Sequence, residues 1–162
     1  MLPIEDFKNV VKHTPLCAID LIVKNGKGEV LLGLRKNAPA KGLWFAPGGR
    51  IFKGERLKDA LKRISGDELG VEITVKDVKL LGIYEHIYGE NFFGEKGFGT
   101  HLVVIACEAI QRNLLLNPPK DQHESYKFMA INEILSSKDV HQYCKNYFID
   151  SPENLFFRCG NY

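Results

Sequence analysis

The stretch Gly49-x5-Glu55-x7-Arg63-Ile64-Ser65-Gly66-Asp67-Glu68-Leu69-Gly70-Val71 constrains the chain most, because it sets a glycine loop, a helix and a stop at fixed spacing. From Glu55 to Leu69 the apolar residues Leu57, Ala60, Leu61, Ile64 and Leu69 fall roughly on one helical face, and Gly70 is a natural C-terminal stop. Gly66 inside that helix costs about 1 kcal/mol relative to Ala, too little to break the pattern. The glycines let the backbone approach a ligand and expose carbonyl oxygens, while Asp67 and Glu68 near the helix end offer hard oxygen ligands for a cation. Magnesium bridging a diphosphate suits such a site, since Mg²⁺ keeps waters and needs few protein oxygens. The plain alternative is that Glu55, Arg63, Asp67 and Glu68 form an ordinary solvated helix face.

Around this stretch, Asp6 to Lys12 carries Phe7, Val10 and Val11 at helical spacing, and Thr14-Pro15 ends it before an apolar strand, Leu16 to Val23. The turn signal Asn25-Gly26-Lys27-Gly28 then predicts a hairpin with a second strand, Val30 to Arg35. Strands are predicted over Val78–Tyr88, Gly99–Ile110 and Tyr126–Ile131, and helices around Asn132–Leu135 and Val140–Phe148. No repeat or linker interrupts this order, so residues 1–162 read as one domain, a mixed α/β sandwich.

A formal charge of +2 gives no field that argues for nucleic acid or a membrane, so an anionic ligand must be held locally. Cys17, Cys107, Cys144 and Cys159 show neither metal nor disulfide spacing and read as free thiols. The N-terminus has no basic start followed by an apolar stretch, and the longest apolar run, Leu102 to Cys107, is too short to span a bilayer. A cytoplasmic protein is the expectation.

The glycine-loop and helix stretch resembles the Nudix box, Gly-x5-Glu-x7-Arg-Glu-hydrophobic-x-Glu-Glu-x-Gly-hydrophobic, matching it at Gly49, Glu55, Arg63, Glu68, Gly70 and Val71. That resemblance implies an α/β (α+β) fold, a Nudix-type α/β/α sandwich with a mixed central sheet. The departures narrow it further. Ile64 stands where the family has a Glu, Ser65 where it has a hydrophobe, and Asp67 where it has the first Glu of the pair. An apolar Ile64 neither binds metal nor takes a proton, which puts a multi-metal cluster in doubt. The altered box is similar to that of the GDP-mannose mannosyl hydrolases. So are Glu5-Asp6-Phe7, Trp44-Phe45-x-Pro47-Gly48-Gly49-Arg50, Asn91-Phe92, Thr100-His101 and Asp121-Gln122-His123.

What the resemblance implies is a single Mg²⁺ on the Gly48 carbonyl, Glu68 and Gln122, with His123 as general base, since an imidazole suits that task near neutral pH. Arg35 and Arg50 would clamp phosphate in bidentate fashion. Asp20 and His86 would hold sugar hydroxyls or stabilise positive charge at the sugar carbon, although a strand carboxylate paired with a structural cation and a packed histidine are equally plain readings. Leu2, Asp6 and Phe7 would help form the nucleotide pocket, against a helix cap and a core aromatic as alternatives. Leu102, where that branch tends to have Tyr, loosens the sugar preference. The expected reaction is Mg-dependent hydrolysis of GDP-mannose, or another nucleoside diphosphate-sugar, at the anomeric carbon by a homodimer. The competing readings are a pyrophosphohydrolase that attacks phosphorus and a sugar-nucleotide sensor without turnover.

Overall fold

The computed structural model describes residues 2–110, 118, 123–149 and 155–158, with Ile110 and the last four as backbone alone. In chain order the elements are α1 (Ile4–His13), β1 (Leu16–Lys24), β2 (Val30–Arg35), β3 (Trp44–Phe45), β4 (Gly48–Arg50), α2 (Leu57–Leu69), β5 (Val78–Tyr88), β6 (Thr100–Ile110), β7 (His123–Met129), α3 (Ile131–Ser136), α4 (Gln142–Lys145), a 3-10 turn (Asn146–Phe148) and β8 (Leu155–Arg158).

The strands form one mixed sheet of order β3-β2-β1-β6-β5-β8, with β4 added to β1 and β7 to β2. The centre is β1, parallel to β6 from Leu16 opposite Leu102 through Lys24 opposite Ile110. Both faces of β1 are covered, which is why its sequence is an apolar run rather than an alternation. Ala18 and Ile22 enter one core with Leu32, Phe45, Ile134 and Cys144, while Ile19, Leu21 and Val23 enter the other with Ala60, Leu61 and Ile64 of α2. Helices therefore lie on both faces, the expected three-layer arrangement. The hairpin of β1 and β2 forms as predicted, antiparallel with Lys24 opposite Val30.

The boundaries differ in instructive ways. The helix expected from Glu55 begins at Leu57, because the Glu55 carboxylate turns back to the Phe52 N–H and to Arg63. It ends as expected, with Gly70 at φ 69° donating its N–H to the Gly66 carbonyl. The strand expected from Tyr126 starts at His123 and stops at Met129, the register being set by pairing with β2. Val140, expected to start a helix, instead bridges to Trp44, and α4 begins two residues later.

At the outer side of β5, β8 pairs with Gly82–Tyr84 among the described residues. Beyond it the Tyr143 hydroxyl donates to the Ile87 carbonyl (2.6 Å) and accepts from the Ile87 N–H (3.0 Å). Among the described residues no helix is long and apolar enough to cross a membrane. Cys17, Cys107 and Cys144 are free thiols, and Cys159 lies outside the described residues.

Candidate active site

The glycine loop is seated from two sides. Gly48 pairs with Asp20 and Gly49 with Ile19 across β4 and β1, and a Cβ at Gly48 would lie 2.2 Å from Asp20 Oδ1. Below, Ile64 is 1% exposed and fills the space under Gly49. Burying such a side chain contributes about 1.5–3 kcal/mol. The box position that carries Glu in the resembling family is thus packing here. Arg63 closes the loop: its Nε and Nη2 donate to the Glu55 carboxylate (2.7 and 2.9 Å), and Nη2 also donates to the Arg50 carbonyl (2.9 Å).

At the C-terminal end of α2 the Glu68 carboxylate is buried, 2% exposed, and accepts from the Gly48 N–H. Burial pushes its pKa up to about 7, with Arg35 opposing and Asp20 adding to the rise. Facing it is His123, 3% exposed, with Nδ1 3.4 Å from Glu68 Oε2. Gly33 makes room for this imidazole, since a Cβ there would lie 2.4 Å from the ring. Tyr126 steadies it: the phenol lies 3.0 Å from His123 Nδ1 and donates to the Glu68 carbonyl at 3.3 Å. A phenol that donates to that carbonyl accepts from Nδ1–H, the tautomer that leaves Nε2 as a proton acceptor. Burial, then Arg35 and Lys36, hold the imidazole down at about 4, so it is neutral at physiological pH. Among the described residues, neither Glu68 Oε2 nor His123 Nε2 has a hydrogen-bond partner.

Asp20 is buried and accepts from the Tyr147 hydroxyl, and desolvation raises it to about 6 against that bond and Arg35. The same phenol lies 3.3 Å from His86 Nε2. His86 is 2% exposed and stacks on Tyr143, rings parallel within 2° and 4.5 Å apart. Among the described residues it meets the Phe45 ring at 5.8 Å and joins Asp20, opposite Gly48, through the Tyr147 hydroxyl. Arg35 is half-buried, its Nε donating to the Pro39 carbonyl (2.8 Å), with its charge felt at Asp20, Glu68 and His123. Arg50 lies over the Phe7 ring at 3.8 Å, and Phe7 in turn meets Phe93 at 5.5 Å. Leu2 and Asp6 are exposed at the start of α1. Gln122 lies outside the described residues.

So Asp20, Arg35, Gly48, Glu68 and His123 come together, while Phe7 and Arg50 form a separate stacked pair at the loop exit. Tyr126 and Tyr147 are the supporting residues that sequence reading missed. Each reads as an apolar member of its element, and only the partner of its hydroxyl sets it apart. A surface cleft of about 350 Å³ bounded by Lys12, His13, Tyr88 and His101 contains neither Glu68 nor His123.

The family model for the NUDIX domain matches residues 15–149. The low-salt glycan biosynthesis protein Agl8 of Haloferax volcanii is 45% identical over 87 residues, 54% of this chain and 54% of that protein. The ADP-ribose pyrophosphatase of Methanocaldococcus jannaschii is 39% identical over 70 residues, 43% of this chain and 40% of that protein. The matched part thus spans about half, or less, of each curated relative. The MutT NUDIX hydrolase from Burkholderia pseudomallei superposes with a TM-score of 0.68 at 24% identity, over 83% of this chain and 96% of that one, a likeness of fold.

Proposed function

This chain belongs to the Nudix hydrolase family, whose domain spans residues 15–149 of it, and from that premise we propose that it hydrolyses a nucleoside diphosphate-sugar, GDP-mannose first among them, by water attack at the sugar carbon. One observation carries the reading. The buried pair Glu68 and His123 presents two polar atoms, Oε2 and Nε2, that have no hydrogen-bond partner among the described residues, while Ile64 fills with hydrocarbon the place of a carboxylate base.

An acceptor such as Glu68 Oε2, buried without a donor, costs free energy that a hard cation would offset, so these residues fit a magnesium ion. Glu68 and the Gly48 carbonyl would hold it, one ion per site, with Gln122 as the third oxygen that the resemblance suggests. Bound there, it would supply charge neutralisation for the departing diphosphate.

The protein's own steps follow from the geometry. Neutral His123 accepts the proton of water at Nε2, with Nδ1 held by Tyr126. The oxygen attacks the anomeric carbon, the carbon–oxygen bond to the β-phosphate breaks, and the electron pair leaves with GDP. Arg35 meets the charge growing on that phosphate oxygen. A bound diphosphate also offsets the Arg35 charge that depresses His123, making the imidazole a stronger base when substrate is present. Asp20, held by Tyr147, faces the positive character at the sugar carbon.

Hydrolysis of GDP-mannose in ¹⁸O-water with magnesium tests this directly: label is expected in mannose. His123→Ala should lower the rate about 10²- to 10⁴-fold with nucleotide affinity little changed. A second reading, attack at phosphorus, is favoured by the likeness to an ADP-ribose pyrophosphatase. It would put label in phosphate and show on a panel that includes ADP-ribose and UDP-sugars.

A further inference from the structure

The loop between β2 and β3 is held from outside by a residue with no place in the chemistry above. Ala40 is 5% exposed and sits at φ 63°, a left-handed conformation that residues with a side chain rarely adopt. Its N–H donates to Glu90 Oε1 at 2.7 Å, across fifty positions of sequence. One residue back, the Pro39 carbonyl accepts from Arg35 Nε at 2.8 Å. The backbone of Arg35 is fixed by the same loop, its N–H donating to the Leu43 carbonyl (3.1 Å) and its carbonyl accepting from the Gly42 N–H (2.9 Å).

The other end of this clasp is firm. The Glu90 carbonyl accepts from the Thr100 hydroxyl at 3.0 Å. The neighbouring Asn91, 1% exposed, donates to the carbonyls of Glu95 and Phe98 and accepts from the N–H groups of Phe93 and Glu95. Asn91 and Thr100 thus anchor the loop after β5, and Glu90 carries that anchorage across to the loop that holds Arg35. Among the described residues Arg35 forms no salt bridge, so the aim of its guanidinium rests on the Pro39 carbonyl, with the Phe45 ring 5.9 Å away as its other contact.

We infer that Glu90 is a positioning residue for Arg35: by fixing the turn at Ala40 it holds the Pro39 carbonyl that aims the Arg35 guanidinium at the diphosphate of the substrate. This rests on the reading of Arg35 as a phosphate-binding group. Glu90 touches no substrate and acts through the loop.

The test is a double-mutant cycle read in two ways, as calorimetric binding of inorganic pyrophosphate with magnesium and as turnover of the sugar nucleotide. Glu90→Ala should weaken pyrophosphate binding about fivefold and lower turnover at least as much, the size expected of residues coupled through one network. In an Arg35→Lys background, where the side chain has no Nε–H to give Pro39, the same change should cost less than twofold. Glu90→Gln keeps an acceptor oxygen for the Ala40 N–H and should stay within twofold of the parent. Equal losses in both backgrounds, no loss at all, or a Gln variant as poor as Ala would each overturn the inference, whatever the melting temperatures. Coupling retained in pyrophosphate binding with no sugar nucleotide turned over would sink the proposed function and leave this role of Glu90 standing.

Discussion

Gly33 sits in β2 with no catalytic atom of its own, yet the imidazole of His123 occupies the volume that any side chain there would need. A methyl group at that position meets the ring at 2.4 Å, and the ring is also held by Tyr126, so it must tilt or slide rather than simply give way. With His123 as the proposed base, Gly33→Ala is therefore expected to cost about 10²-fold in kcat, the effect of displacing a catalytic group by about 1 Å. The fold should survive, because β2 keeps its pairing with β1, β3 and β7. Steady-state kinetics beside a urea titration separates the two, and a variant with parental kcat would remove His123 from the reaction.

At the level of elements, two charged residues of α2 fasten the glycine loop, Arg63 at the Arg50 carbonyl and Glu68 at the Gly48 N–H, and the ion pairs of that helix are unequal. The Arg63 side chain is 29% exposed and donates to both Glu55 and the Arg50 carbonyl, whereas Lys62 and Glu72 meet in solvent. Hydrogen bonds to charged groups contribute about 1.5–3 kcal/mol, and exposed pairs at most about 1 kcal/mol. Arg63→Ala should thus cost roughly 3 kcal/mol by denaturant titration and Lys62→Ala under about 0.5 kcal/mol. Equal losses would show that the Arg63 network does not fasten the loop. The same helix was the most legible element in the sequence, since period, stop and carboxylates coincide there. The strands β3 and β4 were not: they are two and three residues long and exist through partners elsewhere in the chain, β3 through β2 and the bridge to Val140, β4 through β1. His123 lies in a polar stretch that reads as loop, and its burial depends on the vacancy at Gly33, ninety residues away. The parallel register of β1 and β6 leaves no local trace in either strand. Glu90 was invisible for the same reason, because its partner is a backbone N–H.

For the molecule as a whole, buried imidazole ties stability to pH. Burial, with a smaller contribution from His141, lowers His86 to about 3, against 6.5 when unfolded. The groups around it are the Tyr147 and Tyr143 phenols, Tyr88, His141 and, through Tyr147, Asp20. With the folded value depressed, the unfolded chain binds the extra proton. His86 thus costs nothing above about pH 6.5, and stability is lost progressively as pH falls from there toward 3. The loss is about 2 kcal/mol by pH 5. His86→Phe keeps a ring against Tyr143 without a titrating nitrogen, so its unfolding free energy should fall less between pH 7 and 5. An unchanged slope would move the acid sensitivity elsewhere.

The phenol of Tyr143 has a consequence beyond this domain. An unpaired strand margin invites another chain to add itself and so begin a fibre, and proteins usually spend charges or prolines to discourage that. Here one hydroxyl occupies both the donor and the acceptor of Ile87. At Ile87, then, the strand offers an added chain neither a free N–H nor a free carbonyl.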